Sequence, residues 1–518
     1  MGGRKDNASK TISIVMIITL LGKVLGLLRD RLLAINYGMG MEANAFLTAS
    51  RIPRVFFDAV FASAIAACFI PVFSEHLTRH GKGKAMKFAG TFLTVMAALT
   101  ALLSVLGVAG SGLLVRLFAD GYDAETTRLA VELTRIMFPT MLFTGIAFSF
   151  VGILQSLDEF NIPALISTIS NLVIVGYFLL CNDRFGIYGL AIAYLLGWFL
   201  QAAVQVPALH RRGFRYRPGF DLRSEGMKKV FALMLPVMVS TWVQPINLTI
   251  NSRFGSHLYE GAGVAAIEYS TNLYLIVAGV FVLSVTNVIF PKLSRQTAQG
   301  DAEAFRETLR QTVHSTLFFV LPMSAGLVTL ARPLISFIYG GGAFDTQSVD
   351  LTSQALAWVS LGMVGYAVQN ILSRAYFAKQ SGRVPLLAGG ISIAVNLVLC
   401  LLLTNRLKVS GLAIASAVSS TVYALCLLLP LERQGRIFHG RFWLDMGKML
   451  VATMAMAAVV VGLSHVLTPF ATGKLGLLLL LGGCALCGVL VYFALAALFG
   501  LSEVQPLRRL AARFLKRG

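Results

Sequence analysis

Long apolar runs alternate with short polar breaks along almost the whole chain. Because a helix needs about 20 apolar residues to cross the hydrocarbon core of a bilayer, each run predicts one membrane-spanning helix. The fourteen runs lie near residues 11–36, 44–73, 88–117, 132–157, 161–181, 186–209, 228–253, 264–290, 312–338, 351–377, 385–404, 409–431, 447–468 and 475–500. The pattern therefore predicts an all-α membrane protein with about 14 transmembrane helices.

The composition agrees with a multi-pass membrane protein. Hydrophobic residues make up 56% of the chain and charged residues 13%, and the mean hydropathy is +0.75. Soluble domains carry about 25% charged residues. The predicted protein is therefore embedded in membrane lipids along most of its length.

The net charge of +20 could indicate a nucleic-acid partner, but the distribution of the charges argues against one. Of the 44 Lys and Arg residues, 30 lie in the termini and loops of one side and 6 in the loops of the other side. Short cytoplasmic loops are rich in Lys and Arg. We therefore expect a protein of the cytoplasmic membrane with both termini in the cytoplasm and no nucleic-acid partner.

Three pairs of similar segments indicate an internal repeat. "GLAIA" occurs at 189–193 and again at 411–415, and Pro163 and Pro385 lie in similar segments at the same spacing. Pro71 and Pro291 are related by nearly the same spacing. Two repeats of six helices each, plus two additional spans, explain these pairs. Such repeats are typical of transporters, whose substrate sites lie between the repeats near the membrane midplane.

The repeat predicts four segments in the chain. They are an N-lobe at 1–210 (spans 1–6), a basic cytoplasmic linker at 211–227, a C-lobe at 228–432 (spans 7–12), and spans 13–14 with a basic tail at 433–518.

The first two spans carry charges at or near membrane depth, where each uncompensated charge costs about 2.5–3.5 kcal/mol on insertion scales. They comprise one lysine, four arginines and two aspartates: Lys23, Arg29, Asp30, Arg31, Arg51, Arg54 and Asp58. Local pairing and snorkelling explain part of this set. The excess of cations over carboxylates favours a second interpretation, a hydrated cavity that binds a phosphate, for which Arg offers a bidentate fork.

The second half offers amides rather than cations. Gln244, Asn247 and Asn272 lie in spans 7 and 8, where Glu268 is the one acid. They could bind sugar or peptide groups, or they could hydrogen-bond between helices, and the sequence does not decide between these roles.

No pattern in the sequence is typical of an enzyme. The seven histidines are dispersed, and no glycine-rich phosphate loop follows a strand. Cys484 and Cys487 form a single C-x-x-C in an apolar run, which favours helix packing over a zinc or redox site. We therefore expect no catalytic residues, no metal and no cofactor.

The stretch "GKVLGLLRDRLLAINYGMGMEANAFLTASRIP" (22–53) resembles the opening motif of the MurJ (MviN) lipid II flippases of the MOP exporter superfamily. The motif runs S-R-x-L-G-x-x-R-D-x-x-x-A-x-x-F-G-x-G, then D-A-F, then a proline. The resemblance continues through "FIPVFSE" and covers essentially the whole chain. It implies a fourteen-span transporter of a lipid-linked oligosaccharide diphosphate.

Some positions match the family motif and others depart from it. Arg29 and Asp30 match, and Lys23 stands where the family has arginine. Asn44 replaces an aspartate, and Phe57 and Asn272 replace arginines. We hypothesise that Arg54 occupies part of the space of the arginine missing at 57. The candidate substrate-binding residues are Lys23, Arg29, Asp30, Asn44, Arg51, Arg54, Asp58 and Asn272.

The resemblance implies a flippase that moves lipid II, the undecaprenyl-diphosphate-linked peptidoglycan precursor, to the outer leaflet by alternating access. The departures leave two alternatives open, a flippase of another polyprenyl-linked oligosaccharide and a non-transporting scaffold of wall synthesis. Cell-wall synthesis proteins are expected partners in either case.

Overall fold

The computed structural model describes residues 2–58, 65–433 and 435–504, without the side chains of 2–13, 66–67, 235–241 and 280. Part of the predicted span at 44–73 and the basic tail at 505–518 therefore lie outside the described residues. The described chain is helical and forms no β-strand, which confirms the predicted all-α class. It divides into two compact units, Met1–Ala265 and Ala266–Gly518.

The described part of the first unit contains eleven α-helices and a short π-helix, Ile65–Phe69. The α-helices are α1 (Gly2–Tyr37), α2 (Met41–Phe57), α3 (Ile70–Ala109), α4 (Ser111–Phe118), α5 (Ala124–Met137), α6 (Thr140–Ser156), α7 (Asn161–Leu180), α8 (Asn182–Ala203), α9 (Val206–Arg211), α10 (Glu225–Thr241) and α11 (Val243–Ser256).

Helix α12 (Ala262–Ala298) begins in the first unit and continues into the second. The remaining helices are α13 (Ala302–Thr329), α14 (Ala331–Ile338), α15 (Thr346–Leu361), α16 (Met363–Ala378), α17 (Arg383–Arg433), α18 (Gly440–Leu467) and α19 (Gly473–Leu498).

Eight of the described helices are long and apolar enough to span a membrane, and two bent helix pairs raise the number to ten. Helix α17 contains the two predicted spans 385–404 and 409–431, which meet at Lys408, where φ is 52°. In the part of the chain that the structure describes, each predicted span falls mainly on one helix or on consecutive helices, and spans 11 and 12 share α17. The protein is thus a multi-pass membrane protein, and the total of fourteen spans stays a prediction.

The local structure repeats with the spacing that the sequence indicates. Asp123 caps α5 by accepting a hydrogen bond from the amide of Thr126 at 3.0 Å. Asp345, which the spacing of the two "GLAIA" segments relates to Asp123, caps α15 by accepting one from Ser348 at 2.8 Å. An aspartate at this position satisfies an amide that the first helical turn leaves without a partner. Equivalent helices in the two halves therefore both begin with an aspartate cap.

The helix breaks repeat as well. Gly186 interrupts α8 with φ 53° and ψ −148°, and Lys408, at the same repeat spacing, interrupts α17 with φ 52° and ψ −129°. The short helices α4 and α14 begin at Ser111 and Ala331, which are related by the spacing of Pro71 and Pro291. The shared breaks confirm the internal repeat.

Helices α10 and α11, which correspond to predicted span 7, belong to the first compact unit. Lys229 at the beginning of α10 pairs with Glu75 of α3, and Arg253 near the end of α11 pairs with Asp120. The lobe boundaries predicted from the sequence stay a prediction, but span 7 is attached at both ends to elements of the first half.

Candidate substrate-binding site

Arg29 lies on α1 in a fixed orientation. Its Nε and Nη2 atoms donate to Oδ1 of Asp30 at 2.9 and 2.7 Å, and its Nη1 donates to Oδ1 of Asn171 at 3.1 Å. Asn171 in turn donates from Nδ2 to the carbonyl of Gly22 at 3.1 Å, which sets the orientation of its amide group. The side chain of Arg29 keeps 31% of its surface exposed. The guanidinium is therefore held by two neighbours while part of it stays accessible.

Small residues allow α1 to approach α7 closely enough for this network. A Cβ atom at Gly22 would lie 2.9 Å from Oγ of Ser167, and one at Gly26 would lie 3.3 Å from Nδ2 of Asn171. Larger side chains here would separate the two helices. The spacing of Gly22 and Gly26 in the sequence thus has the packing role expected of a small-xxx-small pattern.

Helix α2 separates its polar residues into a buried and an exposed set. Asn44, Thr48 and Arg51 recur at helical spacing and are 0%, 0% and 7% exposed. Arg54 and Asp58 lie beyond them with 64% and 48% of their side chains exposed, and they form an ion pair at 3.5 Å. The i, i+3 and i+7 spacing of Arg51, Arg54 and Asp58 predicts one helical stripe, yet Arg51 lies in a different environment from the other two.

The structure does not support the hypothesis that Arg54 occupies the space of an arginine at position 57. Phe57 is 3% exposed and packs against Phe148 of α6, with ring centroids 5.3 Å apart. The side chain of Arg54 is 64% exposed and is paired with Asp58. Position 57 belongs to the apolar core, because three residues on a helix turn a side chain through about 300°.

The side-chain amide of Asn44 is fully hydrogen-bonded to backbone groups. Its Nδ2 donates to the carbonyls of Met39 and Gly40 at 2.7 and 2.9 Å, and its Oδ1 accepts from the amide of Ala265 at 3.3 Å. An aspartate could not donate the first two bonds. This geometry gives Asn44 a structural role, the fastening of the turn after α1 to the first turn of α12. A direct contact with substrate stays an untested prediction.

Lys23 and Asn272 differ in exposure and belong to different units. Lys23 is exposed on α1, whereas Asp30, two helical turns further on, is buried. Asn272 is half-buried on α12 within the second unit. The structure thus brings together Arg29 with Asp30, and Arg54 with Asp58, and it places Arg51 beside the buried Tyr122. The substrate-binding role of all eight residues stays a prediction.

A cluster that sequence reasoning missed joins the loop after α4 to the end of α11. Oδ2 of Asp120 accepts from Nη2 and Nε of Arg253 at 2.6 and 3.1 Å, and Oδ1 lies 3.0 Å from Nε2 of His257. The amide of Gly121 donates to Oγ of Ser256 at 3.0 Å. We call these five residues the Asp120 cluster.

Partial burial acts to raise the pKa of Asp120, but the hydrogen bonds from Arg253 and His257 outweigh it, so the pKa lies below its usual range. Tyr122 extends the connection inward. Its hydroxyl group donates to the carbonyl of Asn44 at 3.1 Å and lies 2.8 Å from Oγ1 of Thr48. The cluster therefore continues into the buried polar face of α2.

A second cluster attaches the opposite end of span 7. Glu75 of α3 pairs with Lys229 of α10 and, at 2.9 Å, with Arg79. The hydrogen bond from Lys229 lowers the pKa of Glu75 below its usual range. No sequence pattern predicted either cluster, because the partners lie far apart along the chain.

Asn171, the partner of Arg29, is a residue that the sequence reasoning missed. Its only indication in the sequence was weak, a polar amide within the apolar run of span 5.

Within the ranges that the structure describes, no group of three His, Cys, Asp or Glu residues is arranged to hold a metal ion. All six cysteines are free thiols, and Cys484 is buried within the second unit.

Comparisons with known proteins identify the family of the chain. A family model described as "Lipid II flippase MurJ" matches residues 33–481. The lipid II flippase MurJ of Burkholderia cenocepacia is 28% identical over 472 residues, which cover 89% of this chain and 90% of that protein.

Solved structures share the fold of this chain. A structure of the lipid II flippase MurJ in an inward closed conformation is 25% identical with a TM-score of 0.78, and covers 95% of this chain and 99% of that one. An inward-facing MATE multidrug transporter of the MOP superfamily shares the fold at 15% identity, with a TM-score of 0.66 over 82% of this chain and 98% of its own. Since the family model matches most of the sequence and these structures share its fold, the chain belongs to the lipid II flippase MurJ family.

Proposed function

We propose that this protein is a flippase, not an enzyme, and that it moves lipid II from the inner to the outer leaflet of the cytoplasmic membrane for cell-wall synthesis. Both termini lie in the cytoplasm, as the charge of the loops predicts. The observation that carries the proposal is the Arg29 guanidinium, which the family motif supplies and which Asp30 and Asn171 hold in place.

A held guanidinium suits a diphosphate cargo. The Arg fork matches two phosphate oxygens, and a side chain that is already oriented loses less conformational entropy on binding. Asp30 and Asp58 offset two of the five positive charges in the first two spans, which leaves an excess of three. A dianionic head group compensates this excess, while its polyprenyl chain stays in the membrane lipids.

Alternating access requires that the two ends of the cavity open in turn. In this structure span 7 is attached at its cytoplasmic end through Glu75 and Lys229, and at its outer end through Asp120 and Arg253. When the outer contacts break and the inner contacts remain, the cavity opens to the outer side. When the inner contacts break and the outer contacts remain, it opens to the inner side. The two clusters are thus the contacts that the transport cycle breaks.

The test is complementation of a flippase-deficient strain, with lipid II at the cell surface as the readout. We expect the wild-type chain to restore surface lipid II and Arg29→Ala to abolish the restoration. Arg441→Ala, which removes an exposed arginine at the beginning of α18, is the matched control and retains activity. Equal loss in both variants at equal protein levels would refute the role of Arg29.

A second candidate cargo, another polyprenyl-linked oligosaccharide, is favoured by two departures from the family motif. Phe57 lies in the apolar core and Asn44 is saturated by backbone groups, so neither supplies the charge that the family has there. Restoration of the export of another polyprenyl-linked glycan, without surface lipid II, would favour this cargo. Failure to move either cargo would favour a scaffold that binds cell-wall synthesis proteins.

A further inference from the structure

The segment between α9 and α10 is held on the first unit at several points. Phe214 is 3% exposed. Arg212 donates to Oε2 of Glu159 at 2.7 Å and to the carbonyl of Leu157 at 3.2 Å. The segment therefore follows a defined path although it has no regular secondary structure.

This path follows the beginning of predicted span 3. The amide of Gly219 donates to Oγ1 of Thr94 at 3.3 Å, and the hydroxyl of Tyr216 lies 3.1 Å from the same atom. The carbonyl oxygen of Arg217 lies so near α3 that a Cβ atom at Gly90 would be 2.7 Å from it.

Span 3 is predicted to enter the membrane near residue 88. At about 1.5 Å per residue, Thr94 lies roughly 9 Å further along the helix. The contacts of Tyr216 and Gly219 therefore place the segment at the depth of the lipid head groups rather than in open solvent.

The outer surface of the segment carries large apolar side chains among charged ones, three arginines and one aspartate, Asp221. Tyr216, Phe220 and Leu222 are 51%, 67% and 46% exposed. The arginines between and beside them, Arg215, Arg217 and Arg223, are exposed as well. Large apolar side chains interleaved with cations are typical of segments that lie in a membrane interface.

Further cations border this surface. A Cβ atom at Gly213 would be 3.2 Å from Nζ of Lys82. The part of α3 that contains Lys82 therefore lies beside the segment. Lys84 and Lys87 are exposed on the same part of α3. The positive surface thus combines two stretches of chain that are far apart in the sequence, and it is complementary to a surface of negative charge.

We propose that residues 215–223 form an anchor in the cytoplasmic leaflet, with Phe220 and Leu222 at the boundary of the acyl chains and the three arginines on the phosphate groups of anionic lipids. The proposal rests on the cytoplasmic position of the segment and not on the identity of the cargo. Because the segment leads directly into α10, anionic lipid at this surface holds the cytoplasmic end of span 7 in place.

The test uses the full chain in liposomes. Phe220→Cys in a cysteine-free background is labelled with an environment-sensitive fluorophore. We expect lipids that carry a quencher near the head group to quench it strongly, and iodide in solution to quench it weakly. Gln299→Cys, an exposed position in a different loop, is the control and shows the opposite preference.

A second comparison tests the contribution of the arginine charges to the lipid contact. Addition of phosphatidylglycerol to phosphatidylcholine liposomes increases lipid quenching at position 220 by about twofold or more, and the triple variant Arg215→Gln, Arg217→Gln, Arg223→Gln abolishes the increase. Quenching by iodide equal to that of the control would overturn the proposal and leave a soluble anionic partner as the occupant. These measurements do not depend on transport, so they stand apart from the test of the flippase function.

Discussion

Arg253 donates two hydrogen bonds to one carboxylate oxygen of Asp120, from Nη2 at 2.6 Å and from Nε at 3.1 Å. This ion pair joins the loop between α4 and α5 to the last turn of α11. Since the side chains of Arg253 and Asp120 are 50% and 31% exposed, water competes for the contact. Such a contact can break in each transport cycle without a large cost.

A cross-link at this point should stop transport. We expect cysteines that replace Asp120 and Ser256 to form a disulfide under oxidation, because the amide that follows Asp120 donates to Oγ of Ser256 at 3.0 Å. The linked protein holds the outer end of span 7 in place and moves no cargo, whereas a reductant restores transport. The measurement is lipid flipping before and after reduction in a background without the native cysteines. Full activity of the oxidised protein would show that this end does not move.

The Asp120 cluster should respond to acid in one direction. The pKa of Asp120 is lowered, so its contribution is fully present above the ordinary carboxyl pKa of about 4 and is lost as the pH falls through the lowered value. The charged groups that face it are Arg253 and His257. We expect labelling of Ser256→Cys, a buried position of the cluster, to stay constant from about pH 8 to pH 5 and to rise below about pH 4. A change near neutral pH that His257→Gln removes would contradict this assignment.

We expect Asn171 to affect lipid flipping by holding Arg29 in place. Asn171→Leu keeps the approximate size of the side chain but removes the acceptor of Nη1 of Arg29 and the donor to the carbonyl of Gly22. Hydrogen bonds to charged groups contribute about 1.5–3 kcal/mol, so we expect flipping to fall roughly tenfold or more. Asn171→Leu combined with Arg29→Ala should be no worse than Arg29→Ala alone. An additive loss would mean that Asn171 acts independently of Arg29.

The two equivalent helix breaks should respond oppositely to substitution. Gly186 and Lys408 have φ values of 53° and 52°, a region that glycine adopts more easily than other residues. Lys408→Gly should stabilise the protein by about 1 kcal/mol, and Gly186→Ala should destabilise it by a similar amount. Thermal unfolding in detergent measures both. Shifts of the same sign would mean that side-chain contacts, and not the backbone, dominate at these sites.

The predicted orientation can be tested by labelling intact cells with an impermeant thiol reagent. Cysteines that replace the exposed residues Glu42 and Gln347 should react from outside. A cysteine that replaces Arg215 should react only after the cells are opened. Labelling at position 215 in intact cells would reverse the orientation and remove the basis of the proposed lipid anchor.

The sequence by itself determined where the helices lie and that they repeat. Apolar runs mark the spans because the transfer of each segment into lipid depends mainly on its own composition. The predicted span at 161–181 is helix Asn161–Leu180. The repeat spacing, read from "GLAIA" and the prolines, recurs in the caps at Asp123 and Asp345. These features are local, and a local pattern is sufficient to predict them.

Tertiary structure alone decided which distant polar residues are partners. Arg51 and Arg54 are neighbours on α2, yet Arg51 is 7% exposed as a residue and the side chain of Arg54 is 64% exposed. Asp120 meets Arg253 although the two lie far apart in the sequence. The environment of a charge within a membrane protein depends on which distant helices pack around it. The spacing along a single helix predicted local pairing, which the structure shows for Asp30 with Arg29 and for Asp58 with Arg54. Contacts between distant helices depend on packing that no such spacing contains.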